Sequence, residues 1–327
     1  MGRIYESITE LIGHTPLLRL NGYIKKNGLD ADILGKIEFF NPNQSIKDRI
    51  ALSMIEEAEK NGSLKKGGTI LEATSGNTGI GLSAIAAVKG YKTHIYVQDT
   101  VSEERFKVMR AFGTEVSNMS DVSEVDKALK ENNNDYVAGY AAFYEKFLGK
   151  DDSVFLVNQD ANPANPEIHY KTTGPEIWED SEGTVDIVVA AVGTGGTVTG
   201  VGKYLKEKRP DIKVIAVQPG ENSIPSKDNP NPEEIAGVHP FVGIPAEFVP
   251  SNLDDRYYDE CFPVETSQAY EAAREVARTD GILIGASSGA ILYAATQVAK
   301  REENKDKTIV AIFPDTGLRY LSTNLFG

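Results

Sequence analysis

With 327 residues, 40% of them hydrophobic, the chain has enough apolar material for two α/β lobes rather than one small domain. Its 48 acidic residues outnumber 34 basic ones, and the resulting charge of −14 repels nucleic-acid backbones and anionic membrane surfaces. The single cysteine, Cys261, excludes an internal disulfide and a cysteine-rich metal centre and fits a reducing, cytoplasmic setting, with no metal site expected. Residues 1–13 carry Glu6 and Glu10 and do not read as a signal peptide. The longest strongly apolar run, Ile187–Val192, is too short to span a bilayer.

In chain order, an irregular stretch ends at Asn41-Pro42-Asn43-Gln44-Ser45-Ile46-Lys47-Asp48-Arg49 and opens a helix expected over Ser45–Lys60. Lys47 falls in its first turn. There the positive end of the helix dipole opposes an ammonium by about 0.3–1 kcal/mol and favours the neutral amine that Schiff-base chemistry needs. Next come the turn Thr74–Gly79, a helix over Thr78–Lys89, a strand over Thr93–Val97, a helix over Glu103–Phe112, a polar turn at Asn132–Asn134 and a strand over Ser153–Val157. A strand over Val185–Ala191 leads into Gly193-Thr194-Gly195-Gly196-Thr197, a helix over Thr197–Lys208 and a strand over Lys213–Val217. Six prolines make Pro225–Pro250 a long loop, ordered through the apolar anchors Ile235, Val238, Phe241, Val242, Ile244 and Phe248. A helix over Thr266–Thr279, a strand over Ile282–Ile284, the turn Gly285–Gly289, a helix over Ser288–Arg301 and a strand over Thr308–Phe313 complete the reading. Strands alternating with amphipathic helices predict mostly parallel sheets covered by helices.

Three glycine-rich turns each follow a strand and open a helix, the place where α/β proteins bind ligands. The turn at Gly193–Thr197 suits a phosphate, because its glycines let backbone N–H groups converge at a helix N-terminus. Val198 breaks the G-x-G-x-x-G dinucleotide fingerprint, and no Walker sequence occurs. The turn Gly285-Ala286-Ser287-Ser288-Gly289 matches the G-x-S-x-G of hydrolases. All four histidines, His14, His94, His169 and His239, precede Ser287, which is the wrong order for that triad. Ser287 therefore reads as a hydrogen-bonding residue or a helix cap.

Together these segments resemble the cysteine synthase (O-acetylserine sulfhydrylase) family of fold-type II pyridoxal-phosphate (PLP) enzymes, kin of cystathionine β-synthase. The resemblance runs through Ile8–Leu20 (ITELIGHTPLLRL), Ser45–Ala51 (SIKDRIA), Thr74–Gly79 (TSGNTG) and Asn162–Trp178 (NPANPEIHYKTTGPEIW). It continues through Gly193–Gly202 (GTGGTVTGVG), Gly281–Ala290 (GILIGASSGA) and Ile312–Thr323 (IFPDTGLRYLST). It implies a two-lobed, tryptophan synthase β-like fold, with residues 45–158 as a smaller mobile domain and residues 1–44 and 159–327 as the larger one. Position by position, it implies that Lys47 forms the Schiff base with PLP and acts as the catalytic base, and that Asn77 binds the ring hydroxyl. Gly193, Thr194, Gly195, Gly196 and Thr197 hold the phosphate, Ser287 meets the pyridine nitrogen, and Thr74, Ser75, Thr78 and Gln159 grip the substrate carboxylate. The implied reaction is β-replacement on O-acetyl-L-serine, or a related β-substituted L-alanine, by sulfide through an α-aminoacrylate to give L-cysteine. The implied assembly is a homodimer.

Two departures from the family pattern qualify this. Gln159 is followed by Asp160 where an aromatic is usual, which puts docking of the serine acetyltransferase tail in doubt, because a carboxylate repels an incoming carboxylate. The segment Ser226–Pro230 through Ala236–Phe241 replaces a glycine-rich cover, so the nucleophile side is expected to be remodelled toward a thiol or water, with Asp228 and His239 as steering candidates. That gives an alternative chemistry, a cysteine-using desulfhydrase, lanthionine synthase or cystathionine synthase that releases hydrogen sulfide.

Overall fold

The computed structural model describes residues 4–74, 76–98, 103–132, 136–151, 153–226 and 229–327. The chain divides into two compact units, one of Met1–Ile12 with Lys47–Ala164 and one of Gly13–Ile46 with Asn165–Gly327. The described residues hold strands β1 (Leu17–Arg19), β2 (Asp32–Ile37), β3 (Thr69–Ala73), β4 (Lys92–Val97) and β5 (Glu115–Asn118). After these come β6 (Val154–Leu156), β7 (Ile187–Ala191), β8 (Lys213–Pro219), β9 (Glu260–Val264) and β10 (Thr308–Phe313).

In the smaller unit four parallel strands run in the order β5-β4-β3-β6. The chain leaves β3 toward β4 on one side and returns to β6 on the other, so the sheet reverses its winding beside the C-terminal end of β3. Open α/β sheets bind ligands at such a switch point. A cluster of Leu71, Ala73, Met119, Val122, Val125, Leu129 and Phe143 packs one region of this unit.

The larger unit has a six-stranded sheet, β1-β2-β10-β7-β8-β9, parallel except for the antiparallel edge strand β1. Its inner strands are apolar at consecutive positions because both faces are covered. Ile187 and Val189 of β7, with Ile309, Ala311 and Phe313 of β10, join one cluster, while Val188, Ala190, Val310 and Ile312 join the other. Each large side chain among them contributes about 1.5–3 kcal/mol of burial, which makes the ends of β7 and β10 a rigid platform. The winding reverses between these two strands, a second switch point.

Two expectations need correction. Ile282–Ile284 is not a strand: only Ile284 forms a bridge, with Thr316, and Gly317 N–H donates to Leu283 O at 2.8 Å, so the segment closes on the chain after β10 instead of adding to the sheet. Of the six loop anchors, Ile235, Val238 and Phe241 are buried, whereas Val242 and Phe248 are about half exposed. Phe241 and Val242 both donate N–H to Gln218 Oε1, at 3.1 and 3.0 Å, and of these two neighbours only Phe241 turns into the core. The turn expected at Asn132–Asn134 lies, beyond Asn132, outside the described residues.

Candidate active site

In the smaller unit β3 hands the chain to Thr74, whose N–H donates to Tyr96 O at 2.8 Å, and the helix Asn77–Lys89 begins after Gly76. Its first-turn N–H groups face the switch point, a ready place for an anion. Thr74 and Thr78 are buried, and Asn77 and Gln159 are half-buried. Thr78 Oγ1 donates to Gln159 Oε1 at 2.6 Å, which joins the loop after β3 to the segment after β6. Lys47 is half-buried and is the first residue of the helix Lys47–Asn61. A Cβ on Gly81 would stand 3.2 Å from Lys47 O, so the glycine lets the helix from Asn77 cross the first turn of the lysine's helix closely. Ser75 lies outside the described residues.

Beneath this loop sits a group that the sequence reading did not single out. Glu72, on β3 two residues before Thr74, is fully buried. Tyr144 Oη and Ala73 N–H donate to its Oε1 at 2.6 and 2.8 Å, and Gln159 N–H donates to its Oε2 at 3.0 Å. Burial pushes its carboxyl up to about 7 against the pull of these donors, and the Asp160 charge adds to the rise. Burial and the facing Glu72 drive the Tyr144 phenol far above its ordinary range, so it stays a donor.

In the larger unit the turn after β7 is crowded from every side. A Cβ on Gly193 would come 2.7 Å from Gly237 O, one on Gly195 2.7 Å from Leu253, and one on Gly196 2.0 Å from Asn165 Oδ1. Gly195 also has φ +81, a left-handed conformation that glycine tolerates. Gly196 opens the 13-residue helix Gly196–Lys208. Only glycines let the turn pack this closely, and the N–H groups at the helix start there suit a phosphate dianion. Its two threonines are held from behind. Buried Asn165 donates through Nδ2 to Thr194 Oγ1 at 2.9 Å, and Thr197 Oγ1 lies 3.2 Å from Nε2 of buried His169. A π-helical turn, His169–Thr173, brings Thr173 Oγ1 to 2.9 Å from His169 Nδ1 and so orients the ring.

At the neighbouring end of β10, Asp315 is buried, accepts from Tyr320 Oη at 2.8 Å and pairs as a bridge with Ser45. Gly285 N–H donates to Asp315 O at 3.1 Å. That bond brings the start of the helix Ala286–Ala299, with buried Ser287 in its first turn, to the same switch point. His239 N–H donates to Val192 O at 2.7 Å, which ties the proline-rich loop to the turn after β7 by its main chain, while the residue is exposed. Asp228 lies outside the described residues.

Residues 8–315 match the family of pyridoxal-phosphate dependent enzymes. The chain belongs to that family. It is 42% identical over 322 residues to the cysteine synthase of Staphylococcus aureus (strain Mu50 / ATCC 700699), covering 98% of this chain and 97% of the relative. Among solved structures it is similar to O-acetyl serine sulfhydrylase isoform 3 from Entamoeba histolytica, at 41% identity and a TM-score of 0.86 over 99% of this chain and 92% of the other. It is also similar to a hydrogen sulfide-producing enzyme from Fusobacterium nucleatum, at 38% identity and a TM-score of 0.83 over 98% and 99% of the two chains. The protein is thus a PLP-dependent enzyme of the fold-type II architecture, and the glycine cradle after β7 fits the cofactor's phosphate. Among the described residues no helix is long and apolar enough to cross a membrane, and no cluster of histidine, cysteine, aspartate and glutamate would hold a metal ion.

Asn165 and His169 stand inside a motif without a sequence signal for a role of their own, and the alternation of β3 gives no sign that Glu72 faces inward. Asp315 does carry a signal, its place at the end of a predicted strand.

Proposed function

We propose that this protein makes L-cysteine by β-replacement, exchanging the acetate of O-acetyl-L-serine for sulfide. The observation that carries this reading is the 42% identity to a cysteine synthase over 98% of the chain, which spans both switch-point sites. PLP, when bound, supplies an electrophilic carbon for the substrate amine and a ring that stabilises negative charge at Cα.

The residues of the chain do the rest. Lys47 would hold the cofactor covalently, and its amine takes the Cα proton of the substrate and later returns it. Gly193–Thr197 would hold the phosphate, Asn77 the ring hydroxyl, and Ser287 the pyridine nitrogen. Ser287 is a neutral hydroxyl, which does not keep that nitrogen protonated and so favours early departure of the β-group. Thr74, Ser75 and Thr78, with Gln159, take the α-carboxylate at the start of the helix from Asn77. Closure of the smaller domain on the substrate belongs to the same proposal, as does a homodimeric assembly that sedimentation would test. The serine acetyltransferase tail is not among the proposed ligands, because Asp160 sets a carboxylate beside Gln159.

The test is a spectral titration of the holoenzyme with O-acetylserine, O-phosphoserine, serine and cysteine, followed by product analysis with sulfide or homocysteine. Rapid cysteine formation from O-acetylserine and sulfide is expected. Sulfide release from cysteine at a higher kcat/KM would overturn it in favour of cysteine breakdown. Lys47→Ala is expected to lower kcat/KM by about 10²–10⁴-fold. A variant that turned over near the wild-type rate would refute the assigned role.

A further inference from the structure

We infer that Glu72 is a positioning residue: it anchors the Gln159 main chain from inside the smaller unit and, through the Gln159–Thr78 bond, sets the grip on the substrate α-carboxylate. This rests on the reading that Thr74–Gly79 and Gln159 hold that carboxylate.

Three elements converge on one fully buried carboxylate: β3 through Ala73 N–H, the helix Tyr136–Phe147 through Tyr144 Oη, and the segment after β6 through Gln159 N–H. The two backbone donors meet opposite oxygens of the group. A glutamine there would satisfy one of them and turn its own NH2 against the other, whichever way its amide lay. The ionised carboxylate accepts at both ends. Gln159 is thereby fixed at its main chain by Glu72 and at its side-chain oxygen by Thr78, at 2.6 Å, so its amide has a defined sense toward the loop.

A purely scaffolding contact at this place needs no ionisable group, and burying one is costly. The groups acting on Glu72 are the donors from Tyr144, Ala73 and Gln159 and the carboxylate of Asp160, while Tyr140 lies beside Tyr144 on the same helix. Ionised, Glu72 makes charge-assisted bonds about twice as strong as its neutral form makes. The hold on Gln159 therefore weakens as the carboxyl gains its proton around pH 7.

The experiment uses the holoenzyme, with O-acetylserine titrated by cofactor absorbance and by steady-state kinetics across pH. Glu72→Gln is expected to raise Kd and KM by about tenfold, the loss of one hydrogen bond to a charged group, with kcat within about twofold and cofactor content unchanged. The acid limb of the affinity profile should move in opposite directions in two further variants. Tyr144→Phe removes a donor that favours the ionised form and shifts the limb to higher pH, whereas Asp160→Asn removes a like charge and shifts it lower. A wild-type KM in Glu72→Gln, or two unmoved limbs, overturns the inference. If Glu72→Gln does not fold, the opposed shifts decide alone. If the wild-type holoenzyme binds no amino acid, what falls is the carboxylate reading itself, a distinct result.

Discussion

The turns after β3 and β7 each present a helix N-terminus at a switch point, yet they are braced by different physics. The turn after β7 is shaped by steric crowding: Gly193, Gly195 and Gly196 have neighbours where a Cβ would stand, and Asn165 and His169 hold its two threonines by hydrogen bonds. In the turn after β3 a Cβ on Gly76 would, among the described residues, meet nothing nearer than Arg105 Nη1 at 3.8 Å, and the turn leans on the buried ionisable Glu72. A permanently bound phosphate calls for a fixed cradle. A substrate that must enter and leave on every turnover is better served by a grip whose strength depends on a charge.

The largest expected effect contrasts single methyl groups in the two turns. Gly196→Ala puts Cβ 2.0 Å from Asn165 Oδ1 and should displace the buried amide, lowering cofactor affinity by at least about a hundredfold, the equivalent of roughly 3 kcal/mol of overpacking. Gly76→Ala meets no such neighbour among the described residues, and its φ of −159 lies outside the left-handed region, so it should keep full cofactor content. Absorbance of the purified variants checks both. Equal cofactor loss in the two would erase the distinction between a steric cradle and an adjustable loop.

Next in size is the pH dependence of stability. Glu72 is raised in the folded state from 4.5 to about 7. Between these values the folded chain holds a proton that the unfolded chain has released, so the stability contributed by the group is present below about pH 4.5 and is lost as pH rises toward 7. The full span corresponds to about 3 kcal/mol. The difference in unfolding free energy between wild type and Glu72→Gln should fall by about that amount across this window and level off above it. A flat difference would show that the ionisation of Glu72 does not bear on the fold around the loop after β3.

Much of this was legible in the sequence. The apolar runs of β7, β8 and β10 announce strands buried on both faces, and the glycine turns after β3 and β7 mark helix starts. The short edge strands were not. Leu17–Arg19 and Glu115–Asn118 are three and four residues long, too brief for a period to emerge, and their strand state is imposed by neighbours. Ile282–Ile284 erred the other way: β-branched propensity was present, but the segment closes on Thr316 and Gly317 rather than on a strand. At the site, the family resemblance supplied Lys47, Thr78 and Gln159 as candidates, and the structure joins the last two by a hydrogen bond. Glu72 escaped because a carboxylate in sequence reads as solvated, and only tertiary burial turns it into a brace.

The smallest expected effect concerns the link between Glu72 and the loop. Thr78→Val keeps the shape of a side chain that is 3% exposed and removes its hydroxyl, so packing is preserved while the 2.6 Å bond to Gln159 Oε1 is lost. A neutral hydrogen bond is worth about 0.5–1.5 kcal/mol, which predicts a KM for the amino acid raised by roughly threefold to tenfold, with little change in cofactor content. Thr78→Ser, which retains the donor, should stay near wild type. Combining Thr78→Val with Glu72→Gln sharpens the comparison further. If both act through Gln159, one at its main chain and the other at its side chain, the double variant should raise KM by less than the product of the two single effects, as groups sharing a partner do. Independent, multiplicative effects would mean that Thr78 and Glu72 serve the carboxylate separately and that the loop after β3, like the turn after β7, is held by several unconnected contacts.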